Sequence, residues 1–160
     1  MRTAASPLRR FARDRGGLAA IELAIIAPVV VLCTLCVTDL GRYALASTWV
    51  TYAASAGAEY AAAHASATFN ATAVSTAATS AAGVSGISIS PTPSTFYGCA
   101  TATGVTASTR GATCSSSTST GATAGEYVSV TAAMPFTPLF GAASIAYPST
   151  ISSTAVARIE

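Results

Sequence analysis

The chain is 160 residues long, with 51% hydrophobic and only 9% charged residues, against roughly 25% charged in soluble domains. That excludes an ordinary cytosolic globule and leaves room for one modest domain beside a membrane segment. There is no Lys, and five of the eight Arg (Arg2, Arg9, Arg10, Arg13, Arg15) lie within the first 17 residues. Residues 18–160 retain Arg42, Arg110 and Arg158 against Glu22, Asp39, Glu59, Glu126 and Glu160, a net of −2, so the clustered cations that nucleic acid requires are missing.

Residues 1–17 hold Pro7, the Arg cluster and Gly16-Gly17 without apolar periodicity, and read as a cytoplasmic leader. Leu18 to Thr38 follows, 21 residues with Glu22 as the single charge, long enough as a helix to cross the roughly 30 Å hydrocarbon core of a bilayer. A carboxylate inside such a run is costly to insert and asks for a partner. Short basic flanks stay cytoplasmic, so the chain is expected to lie N-in and C-out. A secretory signal is the nearest competitor, with Ala44-Leu45-Ala46 as a cleavage choice, but the apolar run is longer than a signal core and contains Glu22. Arg9-Arg10-Phe11 lacks the rest of a twin-arginine motif.

Arg15-Gly16-Gly17, then Leu18-Ala19-Ala20-Ile21-Glu22-Leu23-Ala24, Pro28 and an apolar run ending in Asp39-Leu40-Gly41-Arg42 together resemble the start of the TadE-like pseudopilins, or minor pilins, of tight-adherence (Flp-type) pilus systems. The resemblance covers residues 8–62 and is looser beyond, with Ala155–Glu160 similar to the family's last strand. It implies that a prepilin peptidase cuts between Gly17 and Leu18. It also implies that Glu22, at mature position five, pairs with the new α-amino group on Leu18 of a neighbouring pilin subunit, and that a small sheet packs on the outer half of the helix.

Beyond the span, the Ala-rich stretch from Asp39 to about His64 has no Pro, and one continuous helix is expected from Leu18 to about Ala65. Tyr43, Trp49 or Val50, Tyr52 or Ala53, and Tyr60 fit one helical stripe; packing is expected for Trp49 and the membrane interface for Tyr43. Thr68 or Asn70 can cap a second helix ending at Gly83. Asn70-Ala71-Thr72 also matches a glycosylation acceptor, though a cap is the expected role. Ile87–Ser90 alternates and is stopped by Pro91 and Pro93, a short strand, and Thr95–Thr101 supplies another. Thr103–Gly125 reads as one long Ser/Thr/Gly loop. Tyr127–Met134 is the clearest strand, with Val128, Val130 and Ala132 on one side. Pro135–Gly141 is an apolar loop, packed on the sheet or forming a subunit contact, and Ile151–Glu160 is the last strand.

Cys33 and Cys36 fall within the span, three apart on one helical face, where thiols serve packing. Cys99 and Cys114 fall in the exported part, where disulfides persist. A bond between them closes a loop of about 15 residues, worth on the order of 3 kcal/mol in the loop-entropy model.

Catalysis needs converging groups, and this chain offers one His, His64, no Lys, and acids outside any triad or metal motif; its glycines sit among Ser and Thr as turn formers. No enzyme, cofactor or metal is expected. The fold expected is α+β: leader 1–17, transmembrane half-helix 18–38, exported half-helix 39–65, and a small exported domain with an antiparallel sheet, 66–160. The function expected is that of a prepilin-peptidase substrate in the bacterial inner membrane, needed to assemble a tight-adherence pilus used in cell adhesion, with the peptidase, other pilins, assembly machinery and membrane as partners. The alternative is a static single-pass envelope protein whose outer domain binds a partner.

Overall fold

A computed structural model describes residues 15–65, 68–115, 120–139 and 147–160; the leader before Arg15 and the end of the apolar loop at Phe140 and Gly141 fall outside them. Helix α1 runs from Arg15 to Ala63, 49 residues, or about 73 Å at 1.5 Å per residue. Its first half is apolar all round apart from Glu22 and packs against no other described element, the pattern of a helix made for lipid. Its hydroxyls are answered internally: Thr34 Oγ1 donates to the carbonyl of Val30, and Thr38 Oγ1 to that of Thr34 at 2.8 Å, as an environment without water demands.

The second half of α1 changes character. Ala46, Val50, Ala53, Ala54, Ala58 and Ala61 are all buried, recurring at helical spacing along one face. Their small size lets other backbones come close, most of all at Gly57, where an added Cβ would stand 2.9 Å from the Ala78 Cβ and 3.0 Å from Val130 Cγ1.

Helix α2 spans Ala71–Ala82. It begins where the Asn70 side chain accepts from the Ala73 N–H at 3.0 Å and ends at Gly83 in the left-handed region, φ 65°. Both are the local signals expected of a cap and a stop. It buries Val74 and Ala78 against α1.

The sheet holds β1 (Ser88–Ile89), β2 (Ser94–Thr101), β3 (Gly104–Ala107), β4 (Gly125–Pro135) and β5 (Thr150–Arg158), all pairs antiparallel. The long β4 is central. β5 lies along one edge, from Tyr127↔Arg158 to Pro135↔Thr150. The other edge is shared, β2 taking residues 125–129 and β1 taking 132–133, with the Pro91 and Pro93 break between them. Val128, Val130 and Ala132 point to the helix with no solvent exposure. One core of Ala46, Val50, Ala53, Ala54, Ala132, Phe136 and Ile151 thus runs into a second of Ala58, Ala61, Val74, Ala78, Val128 and Val130.

Two expectations are corrected here. The stretch from Thr103 is not one loop: Thr101 pairs with Gly104 across a two-residue turn and β3 returns along β2, with Gly104 at φ 152°, a conformation open to glycine and closed to most residues. The aromatic packing also departs from expectation, Trp49 being the more exposed of the two. Tyr43 packs inward, its ring 5.5 Å from Phe136 and 5.1 Å from Tyr147, while Trp49 is 36% exposed. Residue 43 shares the face of Ala46 and Val50, and residue 49 is turned about 100° off Val50.

Candidate functional site

The residues singled out for processing and assembly sit at the start of α1. Gly17 is exposed, and a Cβ added there would meet nothing within 4 Å. The folded chain itself therefore gives no steric reason for glycine at this position. Leu18 is helical in backbone, and Glu22 follows four residues on, one turn along the same face. Glu22 is exposed and has no hydrogen-bond or ion-pair partner among the described residues. Its neighbours Ile21, Leu23, Ile25 and Ile26 are 56–69% exposed. Among the described residues the carboxylate is thus carried on an apolar rod with no partner to neutralise it.

A second cluster forms where α1 leaves its apolar run. Among the described residues Asp39 is the buried charged side chain, with no solvent exposure. Its Oδ1 accepts from the Leu139 backbone N–H at 2.9 Å and from Arg42 Nη1 at 3.1 Å. Arg42 Nη1 also lies 3.3 Å from the Thr137 carbonyl, and its guanidinium sits 5.7 Å from the Phe136 ring centre. The segment after β4 is thereby pinned to the helix, with Phe136 wedged against Tyr43 and Tyr147. The apolar loop expected after Pro135 packs on the helix rather than on the sheet alone.

Sequence reading passed over Asp39 as a structural residue. The usable signal is an acid standing just past a 21-residue apolar run with Arg42 three residues on, a helical pair at contact spacing.

Cys99 and Cys114 are joined in a disulfide with a Cα–Cα separation of 5.6 Å. It ties β2 to the segment in which Thr113 bridges Thr123, at the end of the sheet remote from Asp39. Cys33 and Cys36 are free and exposed on the apolar half of α1. His64 stacks on Tyr60 at 4.1 Å and its Nδ1 lies 2.8 Å from the Tyr60 carbonyl, a helix-end contact. Nowhere among the described residues do three or more His, Cys, Asp or Glu gather as metal ligands would.

Against known proteins, residues 17–59 match the family model described as TadE-like protein. The match begins at Gly17, takes in Glu22, Asp39 and Arg42, and ends within α1, so it covers the helix and none of the sheet. No curated protein and no solved structure matches the chain.

Proposed function

We propose that this chain, TadE-like over residues 17–59, is a minor pilin of a tight-adherence pilus system. It waits in the inner membrane with residues 1–17 in the cytoplasm and the sheet outside, is cut between Gly17 and Leu18 by a prepilin peptidase, and is then drawn by its helix into pilus assembly. The observation that carries the reading is an apolar half-helix standing clear of the folded domain, bearing near its start a Glu22 with no partner among the described residues, within the stretch that matches the family. A lone carboxylate is a penalty for a mere anchor. It becomes an asset where a second chain brings a positive charge to it inside a low-dielectric bundle.

Gly17 fits the same account. Two adjacent glycines weaken the helix by about 1 kcal/mol each relative to Ala, which eases the local opening a peptidase needs. The test is the amino terminus of protein recovered from cells that make a prepilin peptidase. Mass spectrometry should find Leu18 first, and Gly17→Arg should leave the full-length chain; an amino terminus near Ala46, or an uncut wild type, overturns the proposal.

A further inference from the structure

Residues 136–139, which follow β4, lie at the height where the apolar half of α1 ends. Counted at about 1.5 Å per residue from Thr38, Asp39 stands within about 2 Å of the end of the apolar run and Arg42 about 6 Å beyond it. A bilayer's polar zone adds roughly 5–7 Å to each side of its hydrocarbon core, so both residues fall in the headgroup layer if α1 spans. The loop is fastened to that height at two points, the Leu139 N–H on Asp39 at 2.9 Å and the Thr137 carbonyl on Arg42 at 3.3 Å.

Leu139 itself is 60% exposed, a large apolar side chain held at the membrane boundary with most of its surface open. Beside it, Arg42 bonds the described residues through Nη1, and its guanidinium carries five N–H donors in all, its side chain 44% exposed. An apolar tip flanked by a part-exposed guanidinium matches a phospholipid surface, with acyl chain below and phosphate beside.

We propose that the 136–139 loop is a second membrane contact: Asp39 holds it so that Leu139 enters the outer leaflet and Arg42 meets lipid phosphates. The domain is then seated on the bilayer rather than swinging from the helix. The inference rests on α1 spanning the membrane as proposed above.

Trp49 is the one tryptophan, so a Trp49→Phe background is free of indole fluorescence. Leu139→Trp, Val31→Trp and Glu59→Trp are each placed in it, and the full chains are reconstituted in phosphatidylcholine and phosphatidylglycerol vesicles carrying brominated acyl chains at shallow or deep positions. The expected result is deep quenching of Val31→Trp and shallow-bromine quenching of Leu139→Trp. Glu59→Trp, about 25 Å beyond Arg42 along the helix, should respond only to aqueous iodide. Adding Asp39→Ala to Leu139→Trp should lower its lipid quenching at least twofold; undiminished quenching would mean that indole seeks the interface unaided and would remove the tether. If Val31→Trp is quenched but Leu139→Trp responds only to iodide, the loop contact is overturned and the span stands. If Val31→Trp is not quenched, the span falls and the contact with it.

Discussion

A carboxylate shut away from water must have its lone pairs answered, and at Asp39 the answers come from Arg42 and from a backbone N–H one hundred residues later in the chain. Asp39→Ala strands the Leu139 N–H and releases the loop, which should cost about 1–3 kcal/mol. Asp39→Asn keeps an acceptor of the same shape and should cost less. Thermal unfolding of the detergent-solubilised chain should rank them wild type, Asn, Ala; equal stability of Ala and wild type would show that the clasp contributes nothing. Gly57 makes a contrasting case. Ala is the better helix former by about 1 kcal/mol, yet a Cβ there would press on Ala78 and Val130, and overpacking typically costs 1–3 kcal/mol. Gly57→Ala should therefore lower the melting temperature, whereas Gly41→Ala, whose Cβ meets nothing within 4 Å, should leave it equal or higher.

Legibility varied among the elements with the range of the forces that fix them. α2 could be read because Asn70 and Gly83 act on their own turns. β4 could be read because alternation of Val128, Val130 and Ala132 reports one buried face. β3 could not: Gly104-Val105-Thr106-Ala107 has one large apolar residue, and its pairing with β2 supplies what its composition lacks. The outward turn of Trp49 has a similar cause, since Ala46, Val50 and Ala53 set the phase of the helix and an aromatic ring merely follows it. The clasp at Asp39 depends on a loop far off in sequence, beyond any local pattern. The disulfide is an element-scale staple for the β3 region, and it predicts a division among the thiols: in native, unreduced protein, peptide mapping after alkylation should modify Cys33 and Cys36 while Cys99 and Cys114 stay linked. Alkylation of Cys99 and Cys114 without reductant would disprove it.

At the scale of the whole molecule, the chain divides into a domain that satisfies itself and a half-helix that does not. The sheet, α2 and the outer half of α1 share continuous cores, and the clasp closes their lower end. Below it stand Ile21, Ile25, Val29 and Leu32, all exposed, and Glu22 with no charge to meet among the described residues. Lipid answers the first need but not the second. If a neighbouring subunit's α-amino group answers the second, Glu22→Gln should keep shape and lose assembly, while Glu22→Leu should insert at least as well as wild type, its penalty of roughly 2–3 kcal/mol at full depth removed, and still give no pili. A static anchor reverses the outcome: both substitutions would be silent or mildly stabilising. Pilus counts by electron microscopy, set beside membrane-fraction immunoblots and amino-terminal analysis of the same strains, separate the cases. Normal piliation with Glu22→Leu, in cells where the chain is inserted and cut at Leu18, would leave the carboxylate without a role in assembly.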